Sequence, residues 1–175
     1  MDKTENNFAG KKTCCFTGHR PGAFPWTGRE DPRFLKFMEA LEKEIDIAIE
    51  QGVTHFICGN ALGVDTWAAE LVIKKKQSNP GLTLEIAVPF TGHNDGNAEV
   101  TAVQAASDLV HVVSSATNMA AAYHERNRYM VDSSDTLIAV YDYRSNQKGG
   151  TLNTLNYAKK QKKTVSQICW MDFLE

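Results

Sequence analysis

Features typical of secreted, membrane-spanning and nucleic-acid-binding proteins are scarce in this sequence. No apolar run approaches the roughly 20 residues needed to cross a bilayer, and Met1 to Lys12 lacks the apolar core of a signal peptide. The four cysteines show no Cys-x-x-Cys spacing, so neither a zinc cluster nor a disulfide framework is predicted. The formal net charge of −2 disfavours nucleic acid as a partner. Together these absences predict a cytoplasmic protein with buried, reduced thiols and no membrane segment.

The length and composition that are present fit one globular domain. The chain has 175 residues, of which 42% are hydrophobic and 23% charged. Single domains usually hold about 100–150 residues and split only beyond about 250. We therefore predict a flexible amino terminus over residues 1–12 and one domain over residues 13–175.

Apolar strand-like runs alternate with helical stretches along this domain. The run Thr13–Thr17 (TCCFT) is a short strand, and from Phe34 apolar residues recur at helical spacing until Gly52 ends the helix. Such alternation, with almost continuously apolar strands, is typical of a parallel sheet with helices on both faces. We predict an α/β fold: a single Rossmann-like, doubly wound domain of about five to six strands, with its ligand site at the carboxyl ends of the strands. Further strands are predicted at 53–58, 82–88, 109–113, 136–141 and 164–169, and further helices at 64–77, 97–107, 120–131 and 149–160.

Glycine-containing turns follow the first and second predicted strands. In the first, Gly18 permits close backbone approach and Arg20 can pair with a phosphate, or the turn is merely sharp and its arginine solvated. In the second, Gly59 and Gly63 flank the passage from strand to helix, where backbone N–H groups can face an anion. Asp65 either caps that helix or accepts hydrogen bonds from a ribose hydroxyl.

A third glycine turn follows the fifth predicted strand. Gly149-Gly150-Thr151 is either a phosphate nest or a plain glycine-rich start of a helix. On the preceding helix, Arg126 and Arg128 lie about 200° apart, so one of them is predicted to point at the site. The apolar segment Phe24-Pro25-Trp26 is either a lid that stacks on a base or a loop anchored on the surface. No metal is assigned and no cofactor is required.

Four segments in this order resemble the YpsA-like branch of the SLOG superfamily: TGHRP, GNALGVDTWAAE, ERNRYMVDSSDTLIAVYD and KGGTLNTLNYAKK. The resemblance spans most of the chain. It implies a Rossmann-like sheet with a pocket for a nucleotide or a nucleotide-derived ligand such as ADP-ribose, in a bacterial protein linked with cell division and stress. Together with the turns, it predicts ligand and phosphate contacts from Gly18, His19, Arg20, Gly59, Gly63, Asp65, Arg126, Asn127, Gly149, Gly150 and Thr151.

A related family, the cytokinin-activating phosphoribohydrolases, sharpens the expectation about chemistry. Its enzymes carry a Met-His-x-Arg-Lys helix, matched here by His124 and Arg126, and a Pro-Gly-Gly-x-Gly-Thr-x-x-Glu turn, matched by Gly150 and Thr151. The essential glutamate of that turn corresponds to Thr154, which has no carboxylate. The resemblance therefore implies nucleotide binding and puts hydrolysis in doubt.

Three functions are compared on these grounds. The favoured one is binding or sensing of a small nucleotide ligand, and the first alternative is a nucleotide N-glycosidase or phosphoribohydrolase-type hydrolase. The second alternative is a single-stranded DNA or protein-interaction module, because Leu62–Thr66 resembles a helix start of the DNA-processing DprA family. A homo-oligomer is compatible with the resemblance, although no surface seam is visible. Candidate acids and bases for a hydrolase are Asp65, Glu70, Glu125 and Asp142.

Overall fold

A computed structural model describes residues 8–174 and shows one sheet in which every neighbouring pair of strands is parallel. The predicted α/β, Rossmann-like fold is confirmed, and the predicted element bounds differ from those observed by at most two residues. The strands are β1 (Thr13–Thr17), β2 (His55–Gly59), β3 (Thr83–Val88), β4 (Leu109–Val112), β5 (Thr136–Val140) and β6 (Thr164–Ile168). The helices are α1 (Pro32–Glu50), α2 (Val64–Lys76), α3 (Ala98–Ala106), α4 (Met119–Asp132) and α5 (Gly150–Lys160).

The chain before β1 lies against the sheet where it is described. Residues 1–7 of the predicted flexible terminus lie outside the described residues. The ring of Phe8 stacks on His55 with centroids 4.1 Å apart, and Lys11 Nζ donates to Thr83 Oγ1. Residues 8–12 therefore contact the amino ends of β2 and β3.

The strand order locates the crevice of this fold. The order across the sheet is β4-β3-β2-β1-β5-β6, so the chain builds outwards from β1 to one edge and then returns to the other side of β1. Right-handed crossovers place α1, α2 and α3 on one face and α4 and α5 on the other, which agrees with the helix–helix contacts. The order reverses between β1 and β5, and in open α/β sheets ligands bind beyond the carboxyl ends of the strands at such a point.

Alternate side chains of each central strand fill two separate cores. In β1, Cys14 and Phe16 pack towards α1 and α2, whereas Cys15 packs towards α4 and α5. The thiols of Cys14, Cys15 and Cys58 are buried, as predicted, whereas Cys169 is only partly buried. Burial raises the pKa of Cys15 to about 12. The period-two pattern thus determines which side chains of β1 face each layer of helices.

An aromatic cluster anchors the loop between β1 and α1. The rings of Phe24 and Trp26 stack with centroids 4.5 Å apart, and Trp26 stacks on Phe37 of α1 at 5.1 Å. Phe24 also meets Trp170 edge-on at 5.4 Å. Both loop rings are buried, so the Phe24-Pro25-Trp26 segment is an anchored loop and not a lid over the site.

Candidate functional site

The first and third glycine turns meet at the point where the strand order reverses. β1 leads directly into Gly18 and His19, and the loop after β5 leads into the start of α5. His19 Nδ1 lies 3.4 Å from Thr151 Oγ1, and its ring centroid lies 5.7 Å from that of Tyr141. The parallel register of β1 and β5 brings together residues that are more than a hundred positions apart in the sequence.

Gly18 and Gly59 are required by close packing inside the protein. A Cβ at Gly18 would lie 2.4 Å from Val64 Cγ2, and a Cβ at Gly59 would lie 2.2 Å from Asp65 Oδ2. Both distances are far below a van der Waals contact. These two glycines therefore admit the first turn of α2, and their predicted direct contact with a ligand stays a prediction.

The start of α2 is closed by the first turn. Gly63 is the N-cap, with φ of 96°, and a Cβ there would lie 2.6 Å from His19 O. Val64 N donates to that same carbonyl over 3.3 Å. The first backbone N–H group of this helix, that of Val64, thus faces the protein itself. The N-cap is Gly63, where one of the two interpretations expected Asp65.

The start of α5, in contrast, faces open space. Gly149 is its N-cap, with φ of 123° and no side-chain capping bond within the described chain. No described atom lies within 4 Å of a Cβ placed at Gly149, and the nearest to one at Gly150 is Asn127 Nδ2 at 3.8 Å. The first N–H groups of a helix lack intrahelical partners and carry its positive dipole end. This turn therefore has the room and the donors that an anion needs.

Arg126 and Asp65 form a buried pair beneath the site. Arg126 Nη1 lies 3.8 Å from Asp65 Oδ2, and Arg126 Nε donates to Asn127 Oδ1 over 2.9 Å. Asp65 accepts from Ala61 N over 3.3 Å. Burial raises the pKa of Asp65, which Arg126 opposes, and burial lowers the pKa of Arg126. A guanidinium stays cationic in proteins, so Arg126 keeps its positive charge beneath the site, partly offset by the carboxylate of Asp65.

A loop after β3 adds a histidine that sequence reasoning did not assign to the site. Asn60 Nδ2 donates to His93 O over 2.8 Å and lies 3.2 Å from His93 Nδ1. Gln104 Nε2 in turn donates to Asn60 Oδ1 over 2.7 Å. Burial and the positive charges of Arg126 and Arg20 lower the pKa of His93 to about 4. The signal available in the sequence was its place just beyond a strand's carboxyl end.

Two buried histidine nitrogens in this crevice have unsatisfied hydrogen-bonding capacity. Within residues 8–174, neither His19 Nε2 nor His93 Nε2 has a hydrogen-bond partner. Burial also lowers the pKa of His19, so both rings are neutral near pH 7. An unpaired buried polar atom costs about 1–3 kcal/mol, a cost that a polar ligand in the crevice would remove.

A groove between α4 and α5 adjoins the open turn. It encloses about 160 Å³ and is lined by Tyr123, Asn127, Gly150 and other residues of these two helices. Arg128 lies at its rim, with Cζ 4.9 Å from the centroid of the Tyr157 ring. Arg126 and Arg128 therefore point apart, the former under the strand ends and the latter onto the groove.

Position 154 and the candidate carboxylates other than Asp65 are all engaged in contacts within the protein. Thr154, at the position of the expected glutamate, donates its hydroxyl to Gly150 O over 2.8 Å within α5. Among the described residues, no group of three or more His, Cys, Asp and Glu side chains could hold a metal ion. Asp142 pairs with Arg144 at 2.6 Å, Glu70 pairs with Arg29 at 2.8 Å, and Glu125 accepts from the hydroxyl of Ser114.

Comparison with known proteins identifies the family. The YpsA model, described as the YspA SLOG family, matches residues 14–173. The chain belongs to the YpsA family of SLOG proteins. A UPF0398 protein of Halalkalibacterium halodurans is 32% identical over 129 residues, which cover 70% of this chain and 67% of that one. UPF0398 proteins of Bacillus pumilus and Bacillus licheniformis are each 26% identical, over 75% and 85% of this chain and 74% and 84% of theirs.

Membership of the YpsA family confirms the resemblance that the four sequence segments indicate. The matched residues include the three glycine turns, the α4 arginines and the loop that holds His93. No helix of this YpsA-family protein within residues 8–174 has the length and apolar character to span a membrane.

Proposed function

We propose that this YpsA-family protein binds a nucleotide or nucleotide-derived ligand at the point where the strand order reverses, with a phosphate against the first turn of α5. The observation that carries the proposal is the open start of α5, where Gly149 and Gly150 leave room at the first N–H groups of the helix, which no side chain caps within the described residues. The nucleotide-related role implied by SLOG family membership supports the same conclusion. We further propose that binding serves a regulatory role in the bacterial cytoplasm.

The charges around the turn favour an anion. Arg126 is buried beside Asn127, whose amide lies next to Gly150. The guanidinium of Arg20 lies 6.0 Å from the ring of Tyr123, which lines the groove beside Gly150. Positive groups in a concave, partly dehydrated site concentrate the potential there, even on a protein with a net charge of −2.

The test replaces Gly150 by glutamate. A carboxylate at this position occupies the phosphate space, whereas the nearest described atom to the new Cβ is 3.8 Å away, so the fold accepts the change. An acidic residue in the first turn also suits the helix dipole. Gly81→Glu is the matched control, because no described atom lies within 4 Å of a Cβ at Gly81.

Isothermal titration calorimetry with ADP-ribose, AMP, NAD and cyclic nucleotides reads out both variants. We expect at least one nucleotide to bind the wild type and the Gly81→Glu variant, and none to bind the Gly150→Glu variant. Thermal melting of all three proteins controls for folding. Binding that survives Gly150→Glu, or a wild type that binds no member of the panel, would refute the proposal.

Binding without hydrolysis is the form of the proposal that the site supports. Thr154 supplies a hydroxyl that is already used inside α5, and Asp142 is held by Arg144. We therefore expect no free base after prolonged incubation of the protein with nucleoside monophosphates at high protein concentration. Base release that a Thr154→Ala or Asp142→Asn change abolishes would establish the hydrolase instead.

A further inference from the structure

We infer that the ligand is two-ended, and that its second end accepts a hydrogen bond from the Nε2–H group of His93 at the carboxyl ends of β2 and β3. This inference rests on the proposed function, because it extends the ligand beyond the phosphate bound at α5. It assigns to His93 a role in specificity that the glycine turns do not provide.

The contacts of Asn60 fix which nitrogen of His93 carries the hydrogen. A carbonyl can only accept, so the group of Asn60 that lies 2.8 Å from His93 O is the NH2 group, which donates. The same NH2 group lies 3.2 Å from His93 Nδ1, so Nδ1 is the accepting nitrogen. In a neutral imidazole the other nitrogen, Nε2, then bears the hydrogen.

This donor is fixed and unsatisfied. His93 is only 5% exposed, and Nε2 has no hydrogen-bond partner within the described part of the chain. The rings of Phe90 and Tyr123 meet His93 edge-on at 5.2 and 5.4 Å and hold its orientation. Burial and the neighbouring arginines keep the pKa of His93 near 4, so the group is a neutral donor at physiological pH.

The places of the two donor groups in the fold favour a ligand larger than a single phosphate. The positive charge of Arg126 helps to lower the pKa of His93. Arg126 lies over the ends of β2 and β3, with Nη1 3.4 Å from Ala87 O. The α5 turn follows β5, which is two strands from β2 and three from β3. With strands about 4.8 Å apart, the strand ends from which these two loops leave are separated by roughly 10–14 Å. One ligand that meets both must extend across the end of β1.

The second end of the ligand is an oxygen-rich group. Arg20 and Arg126 place positive charge around the His93 donor, which favours oxygen acceptors over amino groups. Two sources share this chemistry: a second phosphoryl group and the hydroxyls of a second sugar. Adenosine diphosphate supplies only the first, and ADP-ribose supplies both.

The experiment compares AMP, ADP and ADP-ribose by calorimetry on the wild type and on two variants of His93. His93→Phe keeps the ring packing and loses the donor, whereas His93→Gln keeps an N–H donor. We expect the wild type to bind ADP-ribose at least about tenfold more tightly than AMP, which corresponds to one good hydrogen bond to a charged group. His93→Phe removes this preference and leaves AMP affinity within about threefold, and His93→Gln restores part of it.

The ADP measurement distinguishes the two sources, because a His93→Phe effect on ADP indicates a phosphoryl group and an effect on ADP-ribose alone indicates the sugar. His111→Phe is the control, since His111 lies on the edge strand β4 and its loss should leave all three affinities unchanged. Equal wild-type affinity for AMP and ADP-ribose, or an unchanged preference in His93→Phe, would overturn the inference.

Nitrogen-15 NMR separates a failure of this inference from a failure of the proposed function. In the free protein at pH 7 we expect a neutral His93 with the hydrogen on Nε2; a hydrogen on Nδ1 or a charged ring overturns the inference whatever binds. If no nucleotide binds, the proposed function fails, and titration with inorganic pyrophosphate decides the second subsite. A shift of the His93 Nε2 resonance supports it, and an unchanged resonance rejects it.

Discussion

Replacing Gly18 by alanine tests whether the first glycine turn is a packing element. The new Cβ would lie 2.4, 2.5 and 2.7 Å from Cγ2, Cβ and Cγ1 of Val64. Val64 is 1% exposed, and its β-branched side chain has essentially one χ1 rotamer in a helix. Rotation cannot remove a contact that involves Cβ itself, so either β1 or the start of α2 must shift.

The structure gives the size of the expected loss. Overpacking of a well-packed core costs typically about 1–3 kcal/mol, and three simultaneous contacts with a rigid side chain place Gly18→Ala near the upper end. Alanine also restricts the unfolded chain, which returns about 0.4–1 kcal/mol. The net expectation is a loss of about 2 kcal/mol in the free energy of unfolding. For a chain of this size, each kcal/mol lowers Tm by about 2–4 °C, so Tm should fall by about 4–8 °C.

Urea unfolding at pH 7 and differential scanning calorimetry measure both quantities. Gly28→Ala is the control, because no described atom lies within 4 Å of a Cβ at Gly28; its stability should change by less than about 0.5 kcal/mol. A double variant, Gly18→Ala with Val64→Gly, removes the clash and should show a coupling free energy of about 1 kcal/mol or more. If Gly18→Ala is as stable as Gly28→Ala, the packing role assigned to Gly18 is wrong.

Three further changes probe the pairs and thiols of the core. Arg126→Met leaves the buried Asp65 carboxylate unpaired and should destabilise the protein by about 3–5 kcal/mol in urea unfolding, whereas adding Asp65→Asn should recover part of the loss. The hydrogen bond from Arg144 lowers the pKa of Asp142 below its normal value of 3.8, so the stability that Asp142 contributes is present above pH 3.8 and is lost as the pH falls through the lowered value. The difference in unfolding free energy between wild type and Asp142→Asn should therefore shrink at acidic pH. A constant difference contradicts the stabilising pair assigned to Asp142 and Arg144. In native protein, an aromatic disulfide reagent should label the partly exposed Cys169 long before the buried thiols, which should react only in denaturant.

The elements of the fold could be predicted because their signals are local and repeated. Apolar residues at helical spacing mark α1, with Phe34, Phe37 and Leu41 on its buried face. The continuous apolar run of β5 marks a strand that is buried on both sides. Edge strand β4 departs from that description, since Val110 and Val112 are each 45% exposed. Strand order could be narrowed only to the doubly wound class, because pairing depends on contacts between distant segments.

The site was less predictable because position alone does not say what a residue touches. The sequence places Gly18, Gly59 and Gly149 alike, each beyond a strand. In three dimensions the first two lie against Val64 and Asp65, and only the third faces open space. His93 carried no motif, and its contact with a side chain 33 positions earlier has no sequence signature. A rule that examines every polar loop at a strand's carboxyl end would have included it.

Electrostatics distinguishes a site that binds phosphates from one that cleaves a glycosidic bond. Cleavage of that bond develops positive charge on the sugar, which a nearby carboxylate stabilises. Here Arg126 and Arg20 supply positive charge, His19 and His93 are neutral near pH 7, and Asp65 Oδ2 lies 3.8 Å from Arg126 Nη1. Two arginine charges against the one carboxylate of Asp65 favour the proposed anionic ligand over a developing cation. The threonine at position 154 fits this balance of charges, because a glutamate there would reduce the positive potential that the proposed phosphate contact needs.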